Sequence, residues 1–212
     1  MAVNIKGFVQ KLARTQTGDT LFNPYNQLLP GIDDKTAPGV RQQNLRLYLK
    51  SHDNLNTKTL WVFGNSNQSE ARRSGIPLVG STTFKTAEDV LDTTRRFEKA
   101  TKSGSTGHST TISSVLWNVA QELDINPLIW PILPFYPHKK EKPLSTRRLT
   151  KDEILEHKYF LSKIIEMYKP KNILAIGKEA EEALELLGIK AKFANHPKRG
   201  KEKFKRLAKK YC

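Results

Sequence analysis

The chain has 212 residues, 37% of them apolar, which suffices for a single domain with a real core. Its one cysteine, Cys212, excludes a disulfide framework, a four-cysteine iron–sulfur cluster and a cysteine-based zinc site. Lys and Arg number 36 against 21 Asp and Glu, a net charge of +15 that points to an anionic partner.

Residues 3–14 and 38–51 read as helices, the second with Pro38 in its first turn. Thr59-Leu60-Trp61-Val62-Phe63 is a short apolar run stopped by Gly64, which suits a buried strand. A loop rich in Gly, Asn and Ser extends to Ser81, with the basic pair Arg72–Arg73 inside it. Helical patterns at 86–100 and 110–123 flank the Gly/Ser/Thr segment 101–109. Leu128 to Leu133 is a second strand, followed by a loop from Pro134 to Leu149 that carries His138-Lys139-Lys140. Thr150-Lys151-Asp152-Glu153 has the form of a capping box and opens a helix to Tyr168. Asn172 to Ile176 is a third strand, Gly177 its turn, 178–187 a helix and 190–194 a weak fourth strand. Asn195 to Gly200 leads to a basic terminal helix at 200–212; residues 1–37 form an N-terminal extension packed on the one domain.

Strands alternating with helices predict a parallel sheet covered on both faces, an α/β class fold with its ligand crevice beyond the carboxyl ends of the strands. The loops 64–81, 134–149 and 195–200 fall at those ends, so one site built from three loops is expected. From Lys190 onward ten Lys/Arg stand against Glu202 alone. Basic residues spread over chain-distant loops favour a surface that tracks phosphates, hence nucleic acid over membrane. The most apolar stretch, Pro127 to Pro137, is interrupted by four prolines and is far shorter than the ~20 residues of a spanning helix. With no secretory signal at the amino terminus, the expectation is a soluble, cytoplasmic monomer that associates with the nucleoid when bound to DNA. Among the histidines, His52, His108, His138 and His157 have no metal-ligand spacing, and neither metal nor cofactor is expected.

Several ordered segments resemble the uracil-DNA glycosylase superfamily, over roughly residues 40 to 207 and closest to bacterial members without an iron–sulfur cluster. They are Gly64-Asn65-Ser66-Asn67-Gln68 after a strand, then Ser74-Gly75-Ile76-Pro77-Leu78. A strand leads into the turn Trp130-Pro131-Ile132-Leu133-Pro134-Phe135-Tyr136-Pro137-His138, followed by Pro143 to Thr150, Ile176 to Ala180, and His196-Pro197. The resemblance implies a three-layer α/β/α sandwich with a four-stranded parallel sheet. It also implies hydrolysis of the N-glycosidic bond of a nucleotide flipped out of duplex DNA. No lysine stands where a relative would place an amine nucleophile, so the implied enzyme is monofunctional.

In that pattern Asn65 replaces a carboxylate that orients or activates water. An amide has no titratable acceptor and can only hold water by hydrogen bonds. Asn67 and Glu70 are rivals for the role. Gly64, Ser66, Gln68, Gly75, Pro77, Leu78, Pro134 and Phe135 would form the base pocket. Leu78 takes the place of an aromatic residue that stacks on uracil, and Pro131 that of an asparagine. Loss of those features points to a modified or damaged pyrimidine as substrate, a hypermodified base of phage DNA and a role in defence among the options. His196 would stabilise negative charge on the departing base. Arg72, Arg73, Ser81, His138, Lys139, Arg147, Lys198 and Arg199 would contact DNA, with Lys198 and Arg199 beside the flipped nucleotide. In isolation Asn65 and Asn67 suit an ordinary turn and His196 a surface position; their order along the chain favours the catalytic reading. An ordinary uracil-DNA glycosylase, a non-catalytic DNA-binding relative, and an RNA- or nucleotide-acting α/β protein are the alternatives.

Overall fold

Asn4 opens helix α1 (Ile5–Arg14), its side chain accepting from the Gly7 N–H. Phe8, Val9 and Leu12 make the buried stripe of that helix, and the Phe8 ring lies 5.8 Å from that of Trp130. Strand β1 (Leu21–Phe22) and helix α2 (Ala37–Asn54) follow, then the wholly buried β2 (Thr59–Phe63). Next come α3 (Ala71–Ser74), α4 (Phe84–Val90), α5 (Thr111–Glu122), β3 (Leu128–Pro131) and β4 (Tyr136–Pro137). The chain ends with α6 (Lys151–His157), α7 (Tyr159–Tyr168), β5 (Asn172–Ile176), α8 (Lys178–Leu186), β6 (Lys192–Ala194) and α9 (Lys201–Tyr211). These elements belong to a computed structural model that describes residues 4–65, 70–102, 111–197 and 200–212.

Four strands form an all-parallel sheet in the order β3-β2-β5-β6. Register sets the faces. Trp61 stands opposite Ile129 and Leu174, so these three share one face, while Val62, Trp130 and Ala175 share the other. Phe204 of α9 packs on Trp61 with ring centroids 5.0 Å apart, and Phe8 of α1 on Trp130. Helices thus cover both faces, consistent with a three-layer α/β/α sandwich. Tyr48 seals the outer edge of β3: its hydroxyl accepts from the Ile129 N–H and donates to the Ile129 carbonyl, both at 2.8 Å. A separate antiparallel pair, β1 with β4, fastens the N-terminal segment to the turn after β3. No helix among the described residues is long and apolar enough to cross a membrane.

Three predicted elements are corrected. The helix expected at 86–100 ends at Val90, because Asp92 turns to φ 45° and residues 93–100 run without regular structure. Side chains hold that run: Glu88 accepts from Phe97 N and Arg96, while Asn44 bonds both the N–H and the carbonyl of Glu98. Asp92-Thr93-Thr94 has poor helix propensity, and these tertiary bonds outcompete a continued helix. The strand expected to Leu133 stops at Pro131: β2 ends opposite it at Phe63, whose carbonyl takes a last bond from the Ile132 N–H at 3.0 Å, and among the described residues no strand partner lies beyond. The helix from Thr150 forms its capping box with Glu153 but is interrupted at Lys158, between two residues, His157 and Phe160, that clasp the Phe135 ring.

Candidate active site at the strand ends

The carboxyl ends of β2, β5 and β6 meet at one rim. The His196 ring lies edge-on to Phe63, centroids 6.5 Å apart, and a Cβ built on Gly177 would stand 3.7 Å from His196 Cβ and Cδ2. The Gly177 N–H donates to the Ala194 carbonyl at 2.9 Å, fixing the β5 turn to the end of β6. Beside it, Glu179 in the first turn of α8 reaches across to β2 and accepts from the Asn65 N–H at 3.3 Å. A Cβ on Gly64 would be 2.2 Å from Glu179 Oε2 and 2.6 Å from its Cδ. Only glycine leaves room for that carboxylate. Three chain-distant turns therefore place an imidazole and a carboxylate beside the start of the loop at Gly64. Glu179 is the residue that sequence reasoning missed. The segment Ile176 to Ala180 served only as an ordering landmark, although a carboxylate two residues after a strand-ending glycine was a usable signal.

Asn65 is 1% exposed, and its amide is fully engaged with protein. Nδ2 donates to the carbonyls of Leu133 and Phe135, both at 2.7 Å, and Oδ1 accepts from the Leu133 N–H at 3.1 Å. It joins the end of β2 to the turn after β3 rather than presenting an amide to water, which corrects the expectation for this residue.

The second expected wall is also tightly held. Gly75 adopts φ 78° against the backbone of Arg41, where a Cβ would meet Arg41 Cα at 2.7 Å; Ala in its place would be strained and would clash. Its carbonyl accepts from Tyr25 Oη at 3.0 Å. Pro77 and Leu78 are buried, and the Leu78 carbonyl accepts from Ser113 Oγ and Trp117 Nε1. Pro134 is buried at the turn. Phe135 is corrected from pocket wall to core, because its ring packs on His157 and Phe160.

Compared with known proteins, the sequence matches no family model and no curated protein.

A small, shallow cleft opens beside the start of α3, lined among others by Glu70, Arg73, Ser81, Phe84, Lys99 and Thr101. Glu70 is 1% exposed there, at the start of α3. Two expected phosphate contacts turn inward. Arg72 is 2% exposed; it donates to the carbonyls of Pro143 at 2.6 Å and Ser145 at 2.9 Å, over the Tyr136 ring. Burial holds its pKa below the usual arginine value. Arg147 pairs with Glu153 at 2.6 Å and also donates to Thr20 and the His138 carbonyl. Its pKa is raised, first by the hydrogen bond to Glu153. Both arginines are structural staples, corrected from the DNA-contact role.

His138 is 7% exposed with Nδ1 on the Lys139 carbonyl, whereas Lys139 itself is exposed. Ser66, Asn67, Gln68, Lys198 and Arg199 lie outside the described residues. Among the described residues no group of three or more His, Cys, Asp or Glu could hold a metal ion.

Proposed function

We propose that this chain is a monofunctional DNA glycosylase with a uracil-DNA glycosylase-like fold, acting on a flipped-out modified or damaged pyrimidine. The observation that carries the reading is the meeting of the Gly64 turn, Glu179 and His196 at the carboxyl ends of parallel strands. That is where a ligand crevice belongs in such a sheet. Breaking the N-glycosidic bond leaves the electron pair on the base and positive charge on the sugar. An imidazole N–H suits the first charge and a carboxylate the second. Leu78, buried in the place of a stacking aromatic, supports a base other than plain uracil.

The test is release of free base, read by mass spectrometry, from a panel of duplexes carrying uracil or modified pyrimidines. Release of a modified pyrimidine is expected, with His196→Ala lowering turnover by about 100-fold or more while DNA affinity stays within about threefold. Strong uracil release with none from modified DNA would make it an ordinary uracil-excising enzyme. Tight binding without release would favour a non-catalytic relative, the reading to which the fully bonded Asn65 amide lends weight.

A further inference from the structure

We infer that Glu179 is the catalytic carboxylate of this site, supplied by α8 in place of the side chain at position 65; the inference rests on the glycosylase reading. Asn65 hands all of its amide to Leu133 and Phe135, so it has no group left with which to activate water. Glu179 stands at the same point of the rim from the neighbouring strand: Oε1 receives the Asn65 N–H, and Oε2 occupies the volume that a side chain at position 64 would fill. The bland account of a glutamate in a first helical turn is complementarity to the helix dipole, which its neighbour Glu181 satisfies equally. Dipole complementarity does not require the carboxylate to lie across the end of β2, nor a glycine there to admit it. Glu70, the other carboxylate near the loop, lines the separate cleft with Arg73.

The chemistry balances. The bond between C1′ and the base nitrogen breaks with its electron pair leaving on the base, where His196 donates a hydrogen bond. Water oxygen then bonds to C1′, and its proton passes to the Glu179 carboxylate. That proton returns through solvent to the base anion, giving free base and a 1′-hydroxyl abasic sugar. Near the cationic sugar the carboxylate also acts as a counter-charge.

The experiment is single-turnover base release by wild type, Glu179→Gln, Glu179→Ala and His196→Ala on whichever duplex the wild type cleaves. Removing a general base costs about 10²- to 10⁴-fold, so Glu179→Gln should fall by at least 100-fold with DNA affinity within about threefold. The acid limb of the wild-type pH profile should disappear in the Gln variant, and added formate should restore part of the rate to Glu179→Ala. A merely structural role moves neither readout. Glu179→Gln within about threefold of wild type, with His196→Ala inactive, would overturn the inference and leave the glycosylase reading standing. If wild type releases no base from any duplex, the glycosylase reading falls and this inference falls with it.

Discussion

Gly64 and His52 show how much one residue can decide. Ala at position 64 would bring its Cβ to 2.2 Å from Glu179 Oε2, so the carboxylate must swing off the rim. Because the clash meets the far end of a flexible side chain, the expected stability cost is small, about 1 kcal/mol. Base release should fall nearly as far as in Glu179→Gln. The two substitutions together should be no worse than Glu179→Gln alone, a non-additivity that a double-mutant cycle measures. His52 makes a different prediction. Thr57 Oγ1 donates to the Asn126 carbonyl and so accepts from His52 Nδ1–H at 2.9 Å, which leaves Nε2 as the unprotonated nitrogen. Nε2 is buried with no hydrogen-bond partner, and burial lowers the pKa from 6.5 to about 3. The unfolded chain takes up a proton below its own value near 6.5 and the folded chain does not. The neutral ring's contribution is therefore complete above pH 6.5 and is lost as pH falls toward 3, at up to about 1.4 kcal/mol per pH unit. Urea unfolding between pH 7 and 4.5 should show that extra slope in wild type and its loss in His52→Asn; equal slopes would refute the assignment.

At the scale of elements, legibility followed whether the cause was local. The capping box at Thr150 and Glu153 and the apolar runs of β2 and β5 are written in neighbouring residues, and each formed as read. Helix α4 shows the opposite case. Its end depends on Glu88 and Asn44 capturing residues 96–98, partners up to 54 positions apart that no window of sequence displays. The same blindness affected the arginines. A basic pair in a Gly/Ser-rich stretch looks like a phosphate grip, yet Arg41 and Arg72 stitch α3 to distant loops. Arg41 is paired with buried Asp33 and also donates to the carbonyls of Pro24, Gln27 and Arg73. At the candidate site the strand order put the end of β2 at the same rim as His196, whose ring lies 6.5 Å from that of Phe63. Glu179 stayed hidden because its reach depends on β5 lying directly beside β2.

For the whole molecule the question is where an excess of fifteen positive charges acts. Helix α9 starts after the rim loop and runs back to the opposite edge, where the Tyr211 carbonyl accepts from Thr59 and Asn172 at the starts of β2 and β5. Its faces divide by spacing. Phe204 and Ala208 are buried, Lys201 and Lys205 pair with Glu122, and Lys203, Arg206 and Lys210 form an exposed stripe at three- and four-residue intervals. On the proposed DNA-glycosylase reading, that stripe, unlike the buried Arg72, is placed to displace counterions from a phosphate backbone. Each phosphate contact contributes about 0.9 to the slope of log affinity against log salt. Replacing Lys203, Arg206 and Lys210 with Gln should therefore weaken binding to any duplex and flatten the slope by up to roughly 2–3, leaving stability nearly unchanged. Arg72→Met should do the reverse. Loss of its bonds to Pro143 and Ser145 should cost about 2–3 kcal/mol in urea unfolding, with the salt slope intact. Fluorescence anisotropy on one undamaged duplex over a salt series separates the two. A flattened slope in Arg72→Met beside an unaltered one in the triple variant would move the DNA-binding face from α9 to the loops around α3.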